Sequence, residues 1–223
     1  MIIIGADLSL TSSAISILRD GKLTLKNYTS NKSNYKWFKI TSHLIDYNFH
    51  SFDNDNEYSD SEVYKLKKYH EITENIKDDL LKMDFNGEEV KIYIEGYAFS
   101  ANGKLIDIIT FSTLLRYKLM LLPNTELFFL PPSSLKSFIG SEVYSKDKKG
   151  VYRDENGKAA GSFDKRDIME ALLKINLNYD YIDYISANKK ILLSTKSLPK
   201  PFDDLHDSFF LLYYGCKQNN IKI

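Results

Sequence analysis

Four carboxylates in this chain stand where an acid is hard to explain by solvation alone. Asp7 directly follows Ile2-Ile3-Ile4-Gly5-Ala6, a short apolar run, and Glu95 closes the apolar stretch Val90-Lys91-Ile92-Tyr93-Ile94. Asp204 and Asp207 are three residues apart, so a helix puts both on one face. An acid at the carboxyl end of a central strand is costly unless it is hydrated, paired or bound to a cation. If the two strands are neighbours and the last helix crosses their ends, the four carboxylates converge and repel one another until a divalent ion relieves them. Hard oxygen donors select Mg²⁺ or Mn²⁺, and two ions at roughly 4 Å suit in-line displacement at a phosphodiester. Singly, each has a plainer explanation: an Asp after a strand often closes a turn, and D-x-x-D at a helix start complements the helix dipole. Asp203, four residues before Asp207, rivals Asp204 as the partner acid.

These acids need elements to position them. Ile2 to Ile4 has the continuous apolar character of a buried central strand. Ala14 to Leu18 alternates, Asp20-Gly21 supplies a hairpin turn, and Leu23 to Leu25 resumes the alternation, so the chain opens with two or three antiparallel strands. Residues 46–62 carry only acidic charges among Asn and Ser and read as a solvated loop. Helical spacing runs from Glu62 to Met83, ended by Asn86-Gly87, and again from Leu105 to Leu122, ended by Pro123. Strands are expected at Val90 to Glu95 and Glu126 to Leu130. A helix starts near Ser133 or Ser134 as cap. Residues 141–162 are polar, glycine-punctuated and charged, unlike a core segment, and Asn176 to Pro201 is ambiguous. Helices follow at Phe163 to Ile175 and Asp203 to Tyr214, the last with Leu205, Phe209 and Leu212 as its core-facing stripe. No internal repeat is visible. Antiparallel strands first, then strands alternating with helices, indicate a mixed α/β sheet covered on both faces.

Composition bounds the function. The 223 residues form one good-sized domain, residues 1–223, with excursions at about 46–62 and 141–162. Thirty basic residues balance thirty acidic ones, which argues against a basic nucleic-acid coat but says nothing of where the charges sit. The single cysteine, Cys216, excludes an intramolecular disulfide framework and a multi-thiolate zinc site, and points to a reducing, cytoplasmic setting. No apolar run is long enough to span a membrane, and the opening residues do not resemble a signal peptide.

At this point the chain resembles the RuvC family of Holliday junction resolvases. Ile3-Ile4-Gly5-Ala6-Asp7 is similar to that family's first strand and catalytic Asp, and Ile92-Tyr93-Ile94-Glu95 to its central strand and catalytic Glu. Leu130-Pro131-Pro132-Ser133-Ser134-Leu135-Lys136 resembles the strand, proline and helix start that carry a lysine. Asp164-Lys165-Arg166-Asp167-Ile168-Met169 resembles the basic helix start, and Asp204-Leu205-His206-Asp207 the last catalytic pair. Ile94-Glu95-Gly96-Tyr97-Ala98-Phe99 and the low arginine content look closest to the phage and poxvirus branch. Leu8-Ser9 stand where the cellular pattern has Pro-Gly, and the long 140–161 stretch replaces a short glycine-rich loop.

The resemblance implies an RNase H-like fold and a structure-selective DNA endonuclease that resolves four-way junctions, with roles in recombination and repair. It implies two Mg²⁺ ions, with Mn²⁺ as a substitute, held by Asp7, Glu95, Asp207 and Asp204 or its rival Asp203, and products with 5′-phosphate ends. Lys136, Lys165 and Arg166 would contact phosphates, and Tyr97 and Phe99 would stack on an unpaired base unless core packing claims one of them. His206 reads first as a helix-surface histidine, second as a ligand or DNA contact. A homodimer would match the two-fold symmetry of a junction, with Leu105 to Tyr117 as the candidate interface helix. Viral relatives also accept Y-structures and flaps. Two other functions stay open: a non-catalytic junction-binding scaffold of the same fold, and an ATP-binding protein in which Asp7-Leu8-Ser9-Leu10-Thr11-Ser12 cradles phosphate.

Overall fold

The computed structural model describes residues 1–30, 34–51, 58–85, 87–97, 105–175, 177–195 and 197–223. The apolar run and the alternating segments pair as the sequence suggests. β1 (Ile2–Asp7) lies between β2 (Ser12–Arg19), which is antiparallel to it, and β5 (Val90–Glu95), which is parallel. β3 (Lys22–Thr29) pairs antiparallel with β2 across the Asp20-Gly21 turn, where both residues have positive φ, 51° and 76°. That is the geometry of a hairpin turn matched to strand twist. β6 (Thr125–Leu130) extends the parallel half. The sheet order is β4-β3-β2-β1-β5-β6, a mixed α/β sheet in which the first three strands pair antiparallel and β5 and β6 extend it in parallel, with β4 at the other edge.

That edge strand corrects the reading of residues 46–62 as a solvated loop. β4 (Ile45–Phe49) pairs parallel with β3, and α2 (Tyr58–Leu81) begins within the same stretch; residues 52–57 lie outside the described ones. Ile45 is buried at 1% exposure, and the charge of Asp46 is answered by Lys26, its register partner on β3, at 2.6 Å. Within its own segment Asp46 has no basic neighbour; its counter-ion comes from a neighbouring strand.

Period-two alternation divides the core. On β1, Ile2, Ile4 and Ala6 face α2 and α3 (Leu105–Met120), and Ile3 faces α7 (Phe202–Gln218). β5 repeats the pattern, with Val90, Ile92 and Ile94 on the first face and Tyr93 on the second. Behind α7 lie α4 (Pro132–Val143), α5 (Lys165–Lys174) and α6 (Asp180–Leu193). α1 (Asn34–Thr41) bridges β3 and β4.

α7 is therefore buried on nearly every side, not along a single Leu205–Phe209–Leu212 stripe: Phe210, Leu211 and Cys216 are fully buried as well. The helix reaches the sheet at two glycines. A Cβ on Gly5 would lie 2.0 Å from the Ser208 carbonyl oxygen, and one on Gly215 would lie 2.4 Å from the Tyr93 ring. Both approaches are possible only without a side chain.

Three further expectations change. α4 is entered through Pro131 and Pro132 with no side-chain cap, so Ser133 and Ser134 lie inside the first turn. Proline's fixed φ suits that first position, and its missing N–H costs nothing there. α4 also runs through Gly140, against which Ala160 packs at 3% exposure, so the 141–162 segment contributes to the core. Inside that segment two like turns follow one another. Asp147 accepts from the Lys149 and Val151 amides and Asp154 from the Asn156 and Lys158 amides, with Gly150 and Gly157 at positive φ in each. This is a short repeat that the sequence did not reveal.

Candidate active site

The alternation that points Ile3 and Tyr93 at α7 also points Asp7 and Glu95 there, each as the last residue of its strand. Strand pairing of β1 with β5 sets those two ends side by side. The close seat of α7 on Gly5 then brings the first turns of the helix over them. Asp7 is 9% exposed, Asp204 2% and Asp207 4%, and Glu95 is half-buried. The four carboxylates expected from the sequence meet on one face.

Their electrostatics follow from burial and crowding. Asp7 is pushed well above the ordinary carboxylate range, first by burial and then by the charges of Asp204, Asp207 and Glu95. Glu95 is raised to about 7 by burial and by Asp207, against the pull of Lys165, Lys136 and Arg116. Burial raises Asp204 and Asp207 too. Asp203 behaves oppositely. Burial works to raise it, but Lys165 at 2.9 Å and Lys200 at 3.1 Å outweigh that and hold it below its usual value. Asp204 is thus among the charges that raise Asp7, whereas the two lysines lower Asp203.

Two ammonium groups balance part of this charge. Lys165 bonds Asp207 as well as Asp203, and Lys200 bonds Asp204 as well as Asp203. Lys165, expected as a phosphate contact, is thereby engaged with the acids. Lys200 was not singled out from the sequence; the available signal was its spacing of three and four residues before Asp203 and Asp204. Even so, one oxygen each of Asp203, Asp204 and Asp207 is buried without a well-formed hydrogen bond, although the Asp203 oxygen lies 2.9 Å from the Lys165 ammonium and Ser12 approaches Asp204. An all-oxygen donor set, buried acceptors without well-formed hydrogen bonds and an excess of negative charge fit a hard divalent cation in chemistry and charge. Among the described residues, no three His, Cys, Asp or Glu side chains are arranged to hold one ion in common.

The flanks differ from expectation. Lys136 lies close enough to Glu95 to lower its proton affinity and makes no ion pair among the described residues. Arg166 donates to the Thr195 carbonyl, tying α5 to the segment before α7. Tyr97 is not free on both faces: the Arg116 guanidinium lies 3.7 Å from its ring centroid, and its hydroxyl bonds Thr113 at 2.5 Å. Phe99 lies outside the described residues. Arg116 is a site residue missed in the sequence, donating to the Glu95 carbonyl at 2.6 Å while stacking between Tyr97 and Phe129. One of only four arginines, it takes a doubly stacked position that suits a planar guanidinium better than an ammonium. His206 is a correction. It is 1% exposed, against the Tyr181 ring, with neither nitrogen hydrogen-bonded, and burial lowers its pKa to about 3. α4 to α6 cover the face of α7 that the helix stripe alone would leave in solvent.

No helix among the described residues is long and apolar enough to cross a membrane. No protein-family model matches the chain, and no curated protein does. Among solved structures it is similar to RuvC of Thermus thermophilus, at 11% identity over 99% of this chain and 97% of that one, with a TM-score of 0.46. It is likewise similar to T. thermophilus RuvC in complex with a Holliday junction substrate, at 11% identity over 98% and 96% of the two chains, with a TM-score of 0.45.

Proposed function

We propose that the protein is a divalent-metal-dependent, structure-selective DNA endonuclease that cuts four-way junctions and other branched DNA, including Y-structures and flaps, leaving 5′-phosphate ends. The observation that carries this reading is the meeting of Asp7, Glu95, Asp204 and Asp207 from two strand ends and one helix, four acids whose burial and mutual repulsion the two lysines offset only in part. Asp7, Glu95, Asp204 and Asp207 would hold Mg²⁺, or Mn²⁺ in its place, with Asp203 as the rival to Asp204. The metal supplies a lowered water pKa and a counter-charge for the leaving oxygen.

The chain's own residues do the rest. Lys136 and Arg166 supply positive charge to phosphates beside the acids. Arg116 fixes the backbone that carries Glu95. Lys165 and Lys200 keep the acids folded together until substrate and metal arrive. A two-fold dimer, assembled through α3, would present two such sites to the two cuts a junction requires. The sequence likeness to the phage and poxvirus branch suggests work in the cytoplasm of a cell or an infected host, by a single nuclease domain.

A labelled synthetic four-way junction tests the proposal. Mg²⁺-dependent nicks at the branch, absent with EDTA, are expected. No nicking, or an Asp7→Asn protein as active as wild type, sinks it. The scaffold reading draws on the lysines that already neutralise part of the cluster. Calorimetric titration with Mn²⁺ separates the two, a scaffold taking up no ion.

A further inference from the structure

Beside the acid cluster opens a cavity of about 710 Å³ that shares Lys165, Lys200 and Asp203 with it. Its size lies within the roughly 300–1,000 Å³ of small-ligand sites. Its walls come from α1, from the start of α5 and from the segment leading into α7. Trp37, Leu198 and Pro199 give it apolar lining, with Trp37 and Leu198 only 6% and 5% exposed. Lys36, Arg166 and Lys200 add positive charge to it.

The balance of charge in this cavity is the reverse of that in the acid cluster. Its two carboxylates are already committed: Asp164 caps α5 and pairs with Lys158 at 2.9 Å, and Asp203 pairs with Lys165 and Lys200. Lys36 is exposed, sits 5.0 Å from the Trp37 ring centroid and makes no ion pair among the described residues. The wall that carries it is firmly seated. Trp37 meets Phe202 edge-on at 5.0 Å, and Phe202 begins α7, immediately before Asp203 and Asp204. Thr41 bonds the Trp37 carbonyl and the Tyr47 hydroxyl, fixing α1 to β4. The α1–β4 addition to the sheet therefore places an apolar surface and an uncommitted cation next to the acids.

We propose that this cavity binds the nucleotide adjoining the phosphate held at the acid cluster, with its sugar and base against Trp37, Leu198 and Pro199 and its phosphate near Lys36. The proposal rests on the nuclease reading for the identity of the polymer. The cation and the apolar surface together specify a nucleotide unit of a DNA strand, where a free anion would need only the cation.

Trp37 is the only tryptophan in the chain, so its fluorescence reports on this cavity alone. The full-length protein is titrated in EDTA with a short single-stranded oligodeoxynucleotide, and junction nicking with Mg²⁺ is assayed in parallel. A saturable change in Trp37 emission is expected. Exposed Lys36 can be replaced without disturbing the fold, which a thermal melt checks. Lys36→Glu should weaken binding about tenfold and flatten the dependence of log K on log salt by about 0.7, the value of one single-strand phosphate contact, with Lys36→Arg restoring both. Nicking with silent emission and Lys36→Glu binding like wild type would overturn the cavity proposal and leave the nuclease reading standing. Lys36-dependent binding without any nicking would support the cavity and remove the nuclease. An equal response to inorganic phosphate alone would mark a free-anion site and overturn the strand as occupant.

Discussion

Two buried charge clusters lie on this sheet, and they are built in opposite ways. On the outer strands, Lys26 of β3 meets Asp46 of β4 at 2.6 Å and Asp79 of α2 at 2.9 Å, and Tyr28 donates to Asp79 at 2.6 Å. Burial works against the charge on Lys26, but the two acids outweigh it and raise its pKa; Lys26 and Tyr28 likewise outweigh burial at Asp79 and lower its pKa. Lys26 and Asp79 are each stabilised in the charged form they hold at neutral pH. Where the inner strands end beneath α7, Asp7, Glu95, Asp204 and Asp207 are all pushed the wrong way, toward protonation. The fold spends stability there for something it lacks alone. A satisfied cluster holds structure together, whereas the strained one at the ends of the central strands is where the proposed metal would be held.

Breaking either cluster should separate the two roles. The largest effect is expected from Asp7→Asn. Junction nicking falls by more than about 100-fold, beyond the loss typical of residues that only support metal ligands, while the metal-free melting temperature rises. A melting temperature that falls instead would place Asp7 in a stabilising network. Lys26→Met should act in reverse, costing about 3 kcal/mol in urea unfolding, at the low end for breaking a buried pair because Asp46 is half in water. Nicking per folded molecule should stay at the wild-type level. Tyr28→Phe removes one hydrogen bond to a charged acceptor and should cost about 1.5 kcal/mol by the same measurement.

The remaining effect is one of pH, read as the stability difference between Glu95→Gln and wild type without metal. Glu95 has its pKa raised to about 7 by burial and by Asp207, with Lys165, Lys136 and Arg116 opposing. A raised carboxyl stabilises the fold while protonated and loses that contribution as pH rises through its folded value. The variant's advantage should therefore be roughly 3 kcal/mol at pH 8, fall to about 1 kcal/mol near pH 5 and vanish below about pH 4. Comparing the pair cancels His50 and His206, whose pKa values burial lowers to about 4 and about 3, and which pull overall stability the other way. Asp79, being lowered, loses its contribution only as pH falls below about 4, the usual carboxylate value. An advantage for Glu95→Gln that grows on acidification would contradict the raised value.

Where local pattern carries the information, the sequence is legible. The apolar run before Asp7, the Asp20-Gly21 hairpin and the i, i+3 spacing of Asp204 and Asp207 each depend on residues within one turn or strand, and each appears in the fold as read. Where a partner comes from far along the chain, local pattern misleads. Asp46 looked solvated because its counter-ion stands on β3, and His206 looked exposed because a second layer of helices covers α7. Arg116 and Lys200 carried too little local signal to be assigned to the site.

The sequence by itself determined which strands end in carboxylates, and period-two alternation required Asp7 and Glu95 to share the faces of Ile3 and Tyr93. Only the tertiary structure brings α7 with Asp203, Asp204 and Asp207 to those strand ends, shares Lys165 and Lys200 among the three, and places Trp37 and Lys36 of α1 at the same end of the sheet. The physical reason is distance along the chain. Side-chain direction follows from the backbone geometry of a few neighbouring residues, but the charge a carboxylate meets is set by groups up to about two hundred positions away, brought near by a helix that two glycines allow to lie directly on the sheet.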